Sequence, residues 1–108
     1  MDAEIASASI WGQRPGEEPF EIHLTIGTPY QIDEEHWACP VGLQPLFSKL
    51  ADSHGGSSFQ ALCLASSLAL GLLSDFKEKG NSLFYSPGED FEFESYVFGV
   101  AAGKRGGA

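Results

Sequence analysis

His36-x-x-Cys39 has the spacing at which an imidazole and a thiolate can reach one zinc ion. Structural zinc takes four ligands, usually as two such pairs. The other soft donors are His54 and Cys63, nine residues apart, and the isolated His23, so the ligand set is incomplete and no metal is expected. Cys39 reads as a core residue and His36 as a surface one. Nucleophilic catalysis needs Cys or Ser beside a His that an acid orients. Ser57, Ser58, Cys39 and Cys63, with His36 or His54, supply the residue types but no strand–turn–helix elbow. No catalytic residue is assigned and no enzyme is expected. His54-Gly55-Gly56-Ser57-Ser58 could turn backbone N–H groups toward a phosphate. It lacks both the phosphate-loop lysine and the dinucleotide glycine pattern, so no cofactor is expected either.

What remains is charge. The 108 residues carry 15 Asp and Glu against 6 Lys and Arg, a formal net charge of −9. Lys104 and Arg105 lie in a glycine-rich end, so the body before them is more acidic still. Such a field repels phosphate backbones and argues against nucleic acid. It suits a basic protein partner, because complementary potentials speed encounter and reject wrong partners. The early acids Asp2 and Glu4 do not form the start of a secretory signal. Ser53 to Ser74 is uncharged but interrupted by His54, glycines and serines, and falls short of the ~20 strongly apolar residues of a membrane span. Two cysteines are too few for a disulfide framework. These readings predict a cytoplasmic protein that binds no membrane.

The length predicts one domain over residues 1–100 with a flexible tail at 101–108. With 43% apolar residues a packed core is affordable. Glu4 to Trp11 alternates Ile5 and Trp11 against Ile10, and a Gly/Pro-rich stretch from Gly12 to Pro19 predicts a hairpin. Phe20, Ile22, Leu24 and Ile26 share one side of the next strand. Trp37, Cys39, Val41 and Leu43 share a parity and predict a third strand, with Pro40 at an edge or bulge. Gln44 to Ser53 is read as irregular. Ser57 and Gln60 form a helix-start pair, and a helix runs from about Ser58 to Lys79, stopped by Gly80. Ser82 to Ser86 and Phe91 to Val100 complete the sheet around a Pro87–Asp90 turn, with a polarity switch midway along the last strand. The expected fold is α+β: an antiparallel sheet of about five strands, in the order β-β-β-α-β-β, with one long helix packed on one face.

The helix is apolar all round in its first four turns. One stripe carries Phe59, Leu62, Cys63, Ser66, Ala69, Leu70, Leu73 and Phe76; the other carries Ala61, Leu64, Ala65, Leu68 and Leu72. A helix apolar all round is normally covered all round. One sheet covers one stripe, which leaves the second to the Gln44–Ser53 segment, to the C-terminal part, or to another molecule such as a second copy.

The hairpin, Trp37-Ala38-Cys39-Pro40 and Gly56-Ser57-Ser58-Phe59-Gln60-Ala61-Leu62 together resemble uncharacterised bacterial domains with a Trp-x-Cys strand and a Ser-x-Gln-Ala-Leu helix, over approximately Ile5 to Phe76. Size, acidity and layout also resemble bacterial toxin-immunity proteins, a likeness of general type carried by no motif. That second resemblance implies occlusion of a basic toxin's active site. The contacts it implies are Glu34, Glu35, Glu89, Asp90, Glu92 and Glu94, with Trp37, Tyr85 and Tyr96 as aromatic anchors. The alternative is a homodimer built on the second helix face, with a housekeeping or enzymatic role.

Overall fold

The structure is a computed structural model and describes residues 3–96. Glu4–Gln13 (β1) and Phe20–Gly27 (β2) form an antiparallel hairpin that pairs Ile10 with Ile22 and Trp11 with Glu21. Successive strand residues face opposite sides. Ile10, Ile22 and Ile26 are accordingly buried, while Ser9, Trp11 and His23 are exposed on the other face.

The expected strand at His36 to Leu43 is two strands. His36–Cys39 (β4) pairs with Tyr30–Asp33 (β3) and Ser53–Gly55 (β6) in a sheet ordered β3-β4-β6. Val41–Gln44 (β5) pairs instead with β2. Pro40 stands at the corner between them, where it need not donate a ladder bond; its carbonyl accepts the Gly27 N–H at 2.9 Å. Ser82–Ser86 (β7) and Glu89–Asp90 (β8) complete a five-stranded antiparallel sheet ordered β5-β2-β1-β7-β8. The α+β class and its five-stranded sheet are as expected, but six strands, not three, precede the helix. β3 and β6 escape pattern reading because every residue of β3 is exposed and Ser53-His54-Gly55 holds no apolar side chain.

Ser58–Glu78 forms the helix, α1. Ser57 Oγ accepts the Gln60 N–H at 3.1 Å and Gln60 Oε1 accepts the Gly56 N–H at 2.6 Å, which satisfies two donors at the helix entry. Gly80, at φ +97°, takes the left-handed position after the last turn. The buried ridge is Ala61, Ala65, Ala69, Leu73 and Phe76, which corrects the expected stripe. Ala61 and Ala65 belong to the core, whereas Phe59 is 70% exposed. The cause is backbone proximity: a Cβ on Gly55 would lie 2.8 Å from the Ala61 nitrogen. Where β6 and the helix come that close, only small side chains fit between them.

Two core clusters lie along this ridge. Ala61, Ala65 and Ala69 pack with Ile26, Cys39 and Val41, while Leu73 and Phe76 pack with Ile10, Ile22, Leu43, Leu83 and Phe91. Leu46 and Leu50 of the Gln44–Ser53 segment, and Phe93 of the C-terminal part, join the second cluster alongside Leu70 and Leu72. Leu64 and Leu68 remain exposed on α1, at 44% and 37%. By length and composition α1 is long and apolar enough to cross a membrane, contrary to the shortfall read from Ser53 to Ser74. Here its ridge is packed against strands.

The expected Phe91–Val100 strand is not formed as far as Tyr96; Val97–Val100 and the tail at 101–108 lie outside the described residues. Phe93–Ser95 is a turn of 3-10 helix, closed by Ser95 N–H to Glu92 O at 3.1 Å and Tyr96 N–H to Phe93 O at 2.9 Å. The midway polarity switch thus marks the end of extended chain, since Phe91 is buried and Phe93 and Tyr96 fold back on it.

Candidate functional site

The residues implied as contacts form two groups. Glu34 and Glu35 make the exposed β3–β4 turn, fixed where Asp33 Oδ1 accepts the Glu35 N–H at 3.2 Å. Trp37 follows on β4, half-buried against the Ala61–Ala69 cluster, so it anchors this hairpin to the core. Glu89 and Asp90 on β8, with Glu92 and Glu94, are exposed at the other group. β8 ends the large sheet on one side, whereas the Glu34–Trp37 hairpin connects through Pro40 to β5, which ends it on the other. The acidic side chains therefore bracket the molecule and do not form one patch.

Tyr85 and Tyr96 meet each other. Their hydroxyls share a 2.8 Å hydrogen bond, and the Tyr96 ring stacks on buried Phe91 at 5.0 Å between centroids and 11° between planes. The bond with Tyr85 is the largest cause that pushes the Tyr96 phenol up to about 12, followed by burial and by the nearby charges of Tyr85 and Glu92. Phe93 packs edge-on against Phe91 at 4.9 Å. The aromatic group is thus a self-satisfied cluster with acidic residues around it, and Tyr96 remains 42% exposed at its margin.

Among the described residues the ion pairs are His23 with Glu21 at 3.4 Å and His36 with Asp33 at 3.8 Å; no Lys or Arg pairs with an acid. Two of the four described cations rest on rings instead. Arg14 lies 5.0 Å from the Phe20 centroid and 5.5 Å from Phe76, and Lys77 lies 5.9 Å from Phe93.

The zinc-like spacing does not assemble. Residues three apart on a strand face opposite sides. Cys39 points inward, fully buried, with its thiol donating to Gly27 O at 3.4 Å; burial pushes that thiol up, as does the charge of Asp52. His36 instead meets His54 across β4 and β6, Nε2 to Nδ1 at 2.7 Å. Among the described residues no group of three or more His, Cys, Asp or Glu could hold a metal ion. Sequence reading nominated both histidines without pairing them, because β6 carries no strand signal. Asp52, just before β6, accepts a hydrogen bond from the Tyr30 hydroxyl and ties β3 to the same region. That bond, then desolvation and the Asp52 charge, pushes the Tyr30 phenol up.

The open face of the large sheet was not nominated. Trp11 lies there, opposite Glu21 on β2 and Phe84 on β7, and is 36% exposed. The alternation of Ile5 and Trp11 against Ile10 was the signal for this face. Comparison with protein-family models, with curated proteins and with solved structures gives no match.

Proposed function

We propose that the chain is a protein-binding module for a basic protein, acting as an immunity-type protein that blocks the active site of a cognate toxin. The supporting observation is the set of carboxylates unpaired with Lys or Arg among the described residues. A carboxylate already bound to a neighbouring guanidinium or ammonium would need that pair broken before it could serve a partner. Here the negative field acts outward and steers a basic surface toward the chain. The β3–β4 turn is the favoured first contact, because the Asp33–Glu35 bond orders it beforehand and reduces the ordering cost of docking. The β8 side offers a second acidic contact, with Tyr96 as its exposed aromatic.

The experiment is capture from native-host lysate with graded salt elution, followed by an activity assay on the purified partner. The reading expects a basic protein that is released as salt rises and loses its activity on stoichiometric addition of the chain. A captured protein that stays fully active when saturated contradicts it.

A second reading, a homodimer, is favoured by Phe59, Leu64 and Leu68, which α1 leaves exposed. Light scattering at micromolar concentration separates the two. The binder is a monomer that gains mass with its partner, whereas a stable dimer supports the second reading.

A further inference from the structure

We infer that a cleft at the C-terminal end of α1 binds a small organic monocarboxylate with an apolar body. The cleft, about 450 Å³, lies between the last turns of α1 and the Gln44–Ser53 segment. Ligand pockets for small molecules start near 300 Å³. Leu46, Leu72 and Phe76 give it an apolar floor, and Arg14, Lys79 and Asp75 are its charged groups.

Charge selects the ligand class. In a chain with 6 Lys and Arg, two of them meet at this one cleft against a single Asp, leaving one positive charge in excess. The surrounding body has the opposite sign, so a cation-rich cleft is a local departure from the field that favours basic partners. The Arg14 guanidinium is held over the Phe20 and Phe76 rings at 5.0 and 5.5 Å and pairs with no carboxylate among the described residues. A guanidinium stacked in this way keeps its in-plane N–H donors for a planar carboxylate. The apolar body of the acid would then cover half-buried Leu72 and exposed Phe47, surface that is otherwise wetted.

The end of α1 carries partial negative charge, which opposes an anion. That opposition is reduced locally: Asn81 Nδ2 donates to Phe76 O at 2.8 Å, and the Lys79 and Gly80 N–H groups donate to Asp75 O and Lys77 O at 3.2 and 3.1 Å. Asp75 then disfavours a dianion and leaves room for one carboxylate.

The test is an amide NMR titration of the full chain with 3-phenylpropanoate and, separately, with 3-phenylpropan-1-ol, which has the same body without the charge. The acid is expected to bind about tenfold more tightly than the alcohol, the effect of one charge-assisted hydrogen bond, with shifts centred on Arg14, Leu72 and Phe76. Arg14→Gln and Lys79→Gln each remove most of that preference, Asp75→Asn increases it, and Lys49→Gln, outside the cleft, leaves it unchanged. Equal binding of acid and alcohol overturns the inference, as does a preference that survives both Arg14→Gln and Lys79→Gln. Because the probe is a free acid and the readout is the chain alone, the result does not depend on the protein partner proposed above.

Discussion

The two halves of α1 are held by opposite means. Over its first half Ala61, Ala65 and Ala69 lie fully buried against Ile26, Cys39 and Val41, and the backbones approach until a glycine is needed at position 55. Over its second half the buried side chains are large, and Leu73 and Phe76 pack with Ile10, Ile22 and Leu83. Close approach puts the small side chains inside and leaves Phe59, Leu64 and Leu68 outside. In the second half the large ones, Leu73 and Phe76, lie inside. Hydrophobic bulk alone therefore does not decide which helix residues are buried.

Substitutions can break this contrast. Leu73→Ala leaves a cavity in the bulk-filled half and is expected to cost about 2–5 kcal/mol in denaturant unfolding. Gly55→Ala drives a methyl into the Ala61 nitrogen and the Gln60 side chain, at an expected cost of about 1–3 kcal/mol. If Gly55→Ala is neutral, the close seam is not close. Removing the helix-entry bond in Ser57→Ala should cost about 1 kcal/mol, without changing the packing of either half.

How much of this was legible depends on the same distinction. Ile10, Ile22 and Ile26 announce their buried face through alternation, and Ser57 with Gln60 announces the helix entry through local hydrogen bonding. Both are properties of adjacent residues. The alanine ridge is not, because nothing in Ser58–Glu78 reveals that Gly55 will lie against it. The break at Pro40 was legible as an edge or bulge but not as a passage between sheets, since the polar Ser53–Gly55 strand that β4 pairs with has no pattern of its own. The acidic residues nominated as contacts were legible by composition; their division between opposite ends of the sheet order required the topology.

The smallest expected effect concerns the Tyr85–Tyr96 pair beside Phe91. With the folded phenol of Tyr96 pushed up to about 12 from its ordinary 10.0, the folded state favours the neutral form. The stabilisation is complete below pH 10 and is lost as pH rises through 12. Tyr96→Phe should flatten that part of the stability profile and remove a late step from the phenolate absorbance titration. If the step that Tyr96→Phe removes lies near pH 10, the pair does not hold Tyr96 neutral.

The central claim is that unpaired carboxylates on the β3–β4 turn steer a basic protein onto the chain. Stopped-flow association with the captured partner, across about 20 to 200 mM salt, tests it most directly with the Glu34→Lys/Glu35→Lys variant. Slower association by about tenfold at low salt, with a flatter salt dependence, is the predicted result. Rates and salt dependence identical to those of the unaltered chain would contradict it.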